Sequence, residues 1–297
     1  MSTDSITRFH FPMVRFSGRE KHLWNPILKK QYKQRPEERV RLKTVEVLLA
    51  MGVSQTRMAF EHPVHLPGDK SSSRTDIVVF DKAVKPLLLV ECKEPDVHLT
   101  EQTALQYGRY NEVLNAPFGL LTNGIQDIWI SYEDGTTSTH THPPHSLFAE
   151  PFPISKKKTF AYWRDRGFAG EHHTLPVEEH LSAILSQWFL DPSSQNPVYL
   201  SFAELPLRFG FDGYYAIPLH NDRYQLAITC SATREGGTVL NAVLNEQGVN
   251  TCLFSLPVQN ATVSTLITPA GIQEMEIPVE ELLRSPDIAE RLVELMK

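Results

Sequence analysis

Two periods of hydrophobic and polar positions run through the first half of the chain, and each period predicts one type of element. Apolar residues such as Val40 and Val47 recur at helical spacing. Pro36 suits the first position of this helix, and Gly52 suits its end. The runs that follow predict, in order, strands at about 57–66, 75–80 and 87–93, a helix at about 100–114, and strands near 118–122 and 127–132. This order predicts an α/β domain with a mixed central sheet flanked by helices.

The composition changes between residues 133 and 157, where Thr, His and Pro replace the periodic pattern. We therefore predict two domains, residues 1–150, with an extended arm or short hairpin in about 1–35, and residues 151–297. The elements predicted for the second domain are a helix at 177–190, strands at 214–219, 224–231, 238–244, 251–256 and 262–268, and helices at 279–283 and 288–296. They predict an α+β domain with an antiparallel sheet.

Charge is unevenly distributed along the chain, whose formal net charge is −6. Residues 1–57 hold 12 Lys/Arg and 5 Asp/Glu, whereas residues 58–150 hold 6 and 13, and residues 151–297 hold 11 and 17. A basic segment beside an acidic one suits a site where cations and phosphate groups meet. Solvated charged surfaces produce the same imbalance, so charge alone leaves both interpretations open.

Neither the apolar runs nor the cysteines indicate a membrane or a secreted protein. No apolar run approaches the roughly 20 residues of a membrane-spanning helix, and the N-terminus lacks the apolar stretch of a secretory signal. The three cysteines, Cys92, Cys230 and Cys252, are far apart and form no CxxC pair. A sparse, odd set of cysteines favours a reducing compartment over a disulfide framework. We therefore expect a cytoplasmic protein without membrane association.

Candidate catalytic residues lie on the second and third predicted strands, which a short polar link joins into a hairpin. A hairpin that closes symmetrically pairs Phe80 with Leu87. The same register sets Asp76 directly opposite Glu91. Because side chains alternate along a strand, Lys93 shares the face of Glu91.

Two carboxylates opposite each other on apolar strands repel one another, and a bound divalent cation removes that penalty. Mg²⁺ is the predicted ion, with Mn²⁺ as a substitute, because Mg²⁺ prefers oxygen ligands and is commonly held by one or two carboxylates. Asp76 and Glu91 would be its ligands, with the backbone carbonyl of Cys92 as a third. Lys93 would orient or activate a water molecule and offset phosphate charge. The competing interpretation is that Glu91 and Lys93 are charged strand ends that pair with neighbours.

The segments around these residues resemble a known family. Residues 36–41 (PEERVR), 74–81 (RTDIVVFD) and 86–95 (PLLLVECKEP) are similar to the N-terminal nuclease domain of type I restriction enzyme R subunits. The likeness is closer to stand-alone bacterial proteins that carry this domain without a motor, and it extends from about Phe9 to Ile130. It implies a restriction-endonuclease-like fold of the PD-(D/E)xK nuclease superfamily.

The same resemblance implies roles for residues of both helices. In that family an acidic residue of the first helix assists the metal site. Glu37 is preferred here because Arg41 stands four residues later, while Glu38 also suits a charge at a helix start. Gln106 and Tyr110 match the QxxxY pattern of one nuclease branch and share a helix face. Gln106 is therefore predicted to be a pocket residue, with Tyr110 in a supporting role.

These observations predict Mg²⁺-dependent hydrolysis of DNA phosphodiester bonds, and the resemblance implies a setting in restriction or phage defence. No GxxxxGK[ST] phosphate loop occurs in the sequence, so no ATP-driven motor is predicted for it. The alternative is a catalytically silent nuclease-fold module that binds DNA or a protein partner. A further hypothesis gives residues 151–297 a role in homo-oligomerisation or in docking a protein partner.

Overall fold

The computed structural model describes most of the 297-residue chain. The described ranges are 5–18, 20–65, 73–133, 136–144, 147, 157–191, 198–202, 211–258 and 263–297. Residues Met1–Ile154 and Ser155–Lys297 form two compact units. All of the predicted catalytic residues belong to the first unit.

The N-terminal unit begins with a small antiparallel sheet, called the N-terminal sheet below. Its strands are β1 (Val14–Ser17), β2 (Glu20–Asn25) and β3 (Lys30–Tyr32). The sequence predicts an extended arm or a short hairpin for about residues 1–35, and the structure has a hairpin extended by a third strand. Asn25 closes the second turn, because its Oδ1 accepts hydrogen bonds from the backbone N–H groups of Ile27 and Leu28, at 2.9 and 3.0 Å.

A six-stranded sheet and two α-helices follow in the same unit. The elements are α1 (Pro36–Ala50), a short 3-10 helix (Gln55–Arg57), β4 (Met58–Val64), β5 (Ser73–Phe80), β6 (Pro86–Cys92), α2 (Glu101–Leu114), β7 (Phe118–Thr122), β8 (Asp127–Glu133) and β9 (Thr136–His140). The strands lie in the order β4-β5-β6-β7-β8-β9, with β6 parallel to β7 and the other neighbours antiparallel. Helix α2 supplies the crossover that a parallel pair requires. The mixed sheet agrees with the predicted fold class, whereas β9 falls in a segment predicted to be a linker.

The hairpin of β5 and β6 has the predicted register over most of its length. Residues 77–79 pair with residues 90–88 in the order expected. The predicted pairing of Phe80 with Leu87 is wrong, because a register shift after residue 79 sets Phe80 opposite Pro86. The shift lies at the turn end of the hairpin, so the opposite end keeps the predicted alignment.

The central strands of the six-stranded sheet are buried on both faces. The side that packs on α1 buries Val40, Val45, Leu48, Ile77, Val79, Leu88, Val90 and Trp129. The side that packs on α2 buries Val78, Leu89, Tyr107, Tyr110, Leu121 and Ile130. Each large apolar side chain that is fully buried contributes about 1.5–3 kcal/mol. The central strands are therefore a firm platform for the polar residues at their ends.

The C-terminal unit is built on an antiparallel sheet, as predicted. Its elements are α3 (Phe160–Asp165), α4 (Leu175–Leu190), β10 (Val198–Phe202), β11 (Phe211–His220), β12 (Tyr224–Ala232), β13 (Thr238–Glu246), β14 (Val249–Val258), β15 (Val263–Thr268), β16 (Gly271–Glu276), α5 (Val279–Arg284) and α6 (Ile288–Leu295). The seven strands follow one another in chain order across the sheet. In the described part of the chain, no helix is both long and apolar enough to span a membrane.

Candidate active site

Glu91 and Lys93 lie at the end of β6 and contact each other directly. Lys93 Nζ donates a hydrogen bond to Glu91 Oε1 at 2.8 Å, so the two side chains lie on the same side of the strand. Only 6% of the Glu91 side chain is exposed, against 22% for Lys93. The other carboxylate oxygen, Glu91 Oε2, is buried and has no hydrogen-bond partner among the described residues. A buried carboxylate oxygen without a donor is costly, and a cation or a proton would stabilise it.

Asp76 lies on the neighbouring strand at the same end of the hairpin. Its Oδ2 accepts a hydrogen bond from the backbone N–H of Cys92 at 2.7 Å, which ties the carboxylate to β6. Its Oδ1 lies 3.5 Å from Nη1 of Arg41, and 16% of its side chain is exposed. The register of residues 77–79, continued by one residue, sets Asp76 beside Glu91. The structure therefore brings two largely buried carboxylates together on adjacent strands.

Arg41 of α1 connects the helix to these carboxylates. Its guanidinium pairs with Glu38, one helical turn earlier. Nη1 of the same side chain lies 3.5 Å from Asp76 Oδ1 and 3.5 Å from Glu61 Oε1. The Arg41 side chain is only 12% exposed, so its charge is held within the protein. Charge-assisted contacts of this kind fix the position of α1 relative to the strand ends.

Glu61 of β4 has an unusual backbone conformation. Its φ of +46° lies in the left-handed region, which side-chain-bearing residues rarely adopt. Strand β4 pairs with β5 on either side of Glu61, at the level of Asp76. Its carboxylate reaches Arg41 at 3.5 Å and Arg74 at 3.8 Å. Strain of this type costs about 1–3 kcal/mol and tends to occur at functional sites.

Burial raises the pKa of both central carboxyl groups above their ordinary values. For Asp76, desolvation is the main cause, and the backbone hydrogen bond from β6 and the charge of Arg41 oppose it. For Glu91, desolvation is again the main cause, reinforced by the charge of Asp76 and opposed by Lys93. The charge of Glu37 adds to the raised pKa of both groups. The charged form of each carboxyl group is therefore destabilised relative to the same group in water.

The two acidic residues at the start of α1 lie in different environments. Glu38 is 7% exposed and pairs with Arg41. The reason given for preferring Glu37, its pairing with Arg41, is therefore wrong, because the partner of Arg41 on the helix is Glu38. Glu37 is exposed, but its charge acts on both Asp76 and Glu91. The choice of Glu37 as accessory acid stays a prediction, now supported by electrostatics rather than by pairing.

The remaining predicted site residues lie in three settings. The Cys92 thiol is buried 4.0 Å from Thr44 Oγ1, and burial raises its pKa well above the usual range. Its backbone N–H, by contrast, binds Asp76. Tyr110 is 8% exposed and packs in the core between α2 and the sheet. Gln106 belongs to α2, but its side chain lies outside the described residues.

The strand ends fit a divalent cation that needs few protein ligands. Asp76 and Glu91 supply two carboxylates on adjacent strands, and one Glu91 oxygen is buried without a donor from the part of the chain that the structure describes. Within the described ranges, no group of three His, Cys, Asp or Glu side chains is arranged to hold a metal ion. This donor set suits Mg²⁺, which keeps several water ligands and is commonly bound through one or two carboxylates. It does not suit a structural Zn²⁺, which is enclosed by four protein ligands.

Glu61 and the bridging role of Arg41 were not found from the sequence. Nothing in the residues of β4 signals a left-handed φ at a glutamate. For Arg41, the spacing from Glu37 and Glu38 shows that all three can meet on the helix surface. Its contact with Asp76 joins two elements far apart in sequence, and periodicity carries no information on such contacts.

A known protein family matches part of the N-terminal unit. Residues 36–142 match the family described as type I restriction enzyme R protein N terminus. The matched region begins at the first residue of α1 and includes Asp76, Glu91 and Lys93. No curated protein and no solved structure matches the chain at a significant level. Residues 36–142 of the N-terminal unit are therefore similar to the N-terminal region of type I restriction enzyme R proteins, which indicates a restriction-related, nuclease-like domain.

Proposed function

We propose that the N-terminal unit hydrolyses phosphodiester bonds of DNA in a reaction that depends on Mg²⁺. The buried Oε2 of Glu91, which has no hydrogen-bond partner among the described residues and lies next to the strand that carries Asp76, supports this assignment. Desolvation disfavours the charged form of both carboxyl groups. A cation between them would offset this desolvation and their mutual repulsion. The family matched by residues 36–142 supports DNA as the substrate and a setting in restriction or phage defence.

Asp76 and Glu91 would hold the ion, with the backbone carbonyl of Cys92 as a third protein ligand. A hydrogen bond already engages one oxygen of each carboxylate, from the N–H of Cys92 to Asp76 Oδ2 and from Lys93 to Glu91 Oε1. Among the described residues Glu91 Oε2 has no partner and remains for a ligand. Asp76 Oδ1 lies 3.5 Å from Arg41 Nη1, so an ion would share this oxygen with the guanidinium. A bound Mg²⁺, or Mn²⁺ in its place, would supply a Lewis acid that polarises the phosphoryl group and lowers the pKa of a coordinated water.

Lys93 acts as a cation in the proposed reaction. Desolvation lowers its pKa, but the hydrogen bond and charge of Glu91 outweigh this effect, so that the pKa is raised overall. Lys93 is therefore protonated at neutral pH and can donate hydrogen bonds beyond the one to Glu91. In this state it orients the attacking water and stabilises negative charge on the scissile phosphate, and it does not remove a proton.

Two helical residues complete the proposed site. Glu37 is exposed, and its negative charge reaches both Asp76 and Glu91, so it favours a cation at the strand ends. Gln106 of α2 is proposed as a pocket residue because it matches the QxxxY pattern of one nuclease branch.

A silent nuclease-fold module that binds DNA or a protein partner is the second candidate, and Arg41 favours it. Its guanidinium contacts Glu38, Glu61 and Asp76, so much of the negative charge is balanced without a metal ion. In such a module the Asp76–Arg41 pair would be structural, and DNA binding would not require Mg²⁺.

Incubation of the purified full chain with supercoiled and linear DNA tests the proposal, with Mg²⁺, Mn²⁺ or a chelator present. Glu91→Gln and Lys93→Ala are compared with Glu94→Gln, a substitution at an exposed carboxylate next to the site. Metal-dependent cleavage that is lost in the first two variants and retained in the third supports hydrolysis at this site. Intact DNA under every condition with the wild type contradicts hydrolysis and favours the silent module.

The role of the C-terminal unit in homo-oligomerisation or in docking a protein partner stays a prediction. A cytoplasmic location is likewise a prediction.

A further inference from the structure

The N-terminal sheet and the segment after it are strongly basic and lie outside the matched family region. Residues 14–35 contain seven Lys or Arg residues and one acidic residue, Glu20. The family match begins immediately afterwards, at residue 36. These residues, called the basic region below, directly precede the matched region.

Five basic side chains of this region face solvent without an acidic partner among the described residues. Arg15, Lys29, Lys30, Lys33 and Arg35 are exposed. None of these five forms an ion pair with any residue that the structure describes. Exposed like charges repel one another, and a bound polyanion would remove that repulsion and release its own counterions.

Aromatic rings hold two of these cations in position. Arg15 Cζ lies 3.7 Å from the centroid of a Trp24 ring, and Lys30 Nζ lies 5.3 Å from the Tyr32 ring. Arg15 and Trp24 lie on the face of the sheet opposite Leu23, which is buried in the core. Stacking restricts a long side chain before binding, which reduces the entropy lost when a ligand immobilises it.

The basic region leads to the candidate active site. Tyr32 ends β3, and its ring centroid lies 5.8 Å from Cζ of Arg41. Arg41 in turn lies 3.5 Å from the Asp76 carboxylate. Burial raises the pKa of Tyr32, and the charges of Glu38 and Glu61 raise it further. The Tyr32 hydroxyl therefore lies within the electrostatic field of the acidic residues near the site. A nucleic-acid strand bound along the basic side chains would therefore be brought close to the carboxylates of Asp76 and Glu91.

We propose that the basic region binds the phosphodiester backbone of a nucleic acid and guides it to Asp76 and Glu91. The principal contacts are Arg15, Lys29, Lys30 and Lys33. The guiding role rests on the proposed nuclease function and deepens it by naming the surface that holds the substrate. Contacts from Lys and Arg to phosphate are independent of base sequence and weaken with salt. Binding through this region is therefore expected to be sequence-independent and strongly salt-dependent.

A charge-neutralised variant tests this role against a matched control. The test variant is Lys29→Gln/Lys30→Gln/Lys33→Gln, and the control is Lys82→Gln/Lys85→Gln/Arg234→Gln, which removes three exposed charges elsewhere. Fluorescence anisotropy with a labelled DNA duplex in a chelator gives Kd over a range of salt concentrations without cleavage. The Kd of the test variant is expected to rise about tenfold or more at moderate salt. The slope of log K against log salt is expected to become shallower by about 2–3, since each lost phosphate contact contributes about 0.9. The control variant is expected to keep the wild-type Kd and slope.

Several outcomes would overturn the proposed contact surface. One is a test variant with the Kd and salt slope of the wild type; another is a wild type that binds neither DNA nor RNA oligonucleotides at low salt. Thermal melting checks that each variant is folded. If the triple variant unfolds, the single variants Lys29→Gln and Lys33→Gln replace it, each with an expected slope change of about 1.

The proposed contact surface and the proposed hydrolysis can be contradicted independently of each other. Weakened binding in the test variant, with no cleavage by the wild type in any metal, would leave the contact surface standing and contradict hydrolysis. Cleavage that requires Lys93, with unchanged Kd and kcat/KM in the test variant, would leave hydrolysis standing and contradict the contact surface.

Discussion

Lys93 Nζ and Glu91 Oε1 lie 2.8 Å apart at the end of β6, and this contact leaves the second Glu91 oxygen buried without a hydrogen-bond partner among the described residues. Lys93 donates a hydrogen bond to only one of the two Glu91 carboxylate oxygens. Burial raises the pKa of Glu91, and the neighbouring charge of Asp76 raises it further. The strand end is therefore short of positive charge. Metal binding and catalysis are expected to respond differently to substitutions at Glu91 and at Lys93.

Mg²⁺ is expected to raise the melting temperature of the wild-type protein, because a ligand that binds only the folded state stabilises it by mass action. At a concentration one hundred times Kd, the gain is about 2.7 kcal/mol. Glu91→Gln should lose most of this gain, whereas Glu94→Gln should keep it. Circular dichroism melts over a Mg²⁺ series measure both. An equal gain in Glu91→Gln would show that the ion binds elsewhere.

Lys93→Ala is expected to lower kcat for DNA cleavage by about 10²–10³-fold, which is the usual effect of removing a donor that stabilises developing charge. The Mg²⁺-dependent rise in melting temperature should persist, because the lysine is not a metal ligand. Rates on linear DNA at saturating Mg²⁺ provide the measurement. Lys85→Gln, at an exposed position in the β5–β6 turn, is the matched control. A Lys93→Ala enzyme that cleaves at the wild-type rate would remove this residue from the mechanism.

Glu37 and Glu38 are expected to differ in their effects on stability and metal binding. Glu38→Gln breaks the buried pair with Arg41 and should lower the free energy of unfolding by about 1–3 kcal/mol. Glu37→Gln, at an exposed position, should change it by no more than about 0.5 kcal/mol while weakening Mg²⁺ binding. Urea unfolding and Mg²⁺ titration separate the two effects. The reverse pattern would make Glu38 the accessory acid.

Lys43 should give the stability of the protein a pH dependence of its own. Burial lowers its pKa to about 8, opposed by the charge of Asp127, whereas an ordinary lysine titrates near 10.5. Between these values the unfolded chain binds more protons than the folded one, so this contribution to the free energy of unfolding rises with pH.

The variant Lys43→Gln isolates this contribution. The difference in free energy of unfolding between wild type and variant should shift toward the wild type by about 1–2 kcal/mol between about pH 7 and about pH 9.5. Urea unfolding at the two pH values provides the test. A difference that stays constant with pH would contradict the titration expected for a buried Lys43.

Much of the N-terminal fold follows from local pattern. Pro36 begins α1 as predicted, because a first helical position needs no backbone donor. Residues 77–79 of the hairpin pair as predicted, because a slip of one residue would turn the apolar side chains of both strands to the wrong faces. The same alternation predicted that Glu91 and Lys93 share a side, and the two are in contact.

Other features depend on contacts that no local pattern records. The bulge that moves Phe80 opposite Pro86 arises where the turn closes. Strand β9 exists because β8 presents an edge to a Thr-rich segment whose own residues are exposed throughout. The left-handed φ of Glu61 occurs where its carboxylate meets Arg41 from another element.

The sequence by itself determined which strands carry Asp76, Glu91 and Lys93 and on which side of the strand the last two lie, because both follow from a period of two along neighbouring strands. Only the tertiary structure decided which oxygens of the two carboxylates are engaged and which one finds no donor in the described ranges. That outcome depends on the backbone N–H of Cys92 and on the guanidinium of Arg41, which folding brings from different elements to the same strand ends.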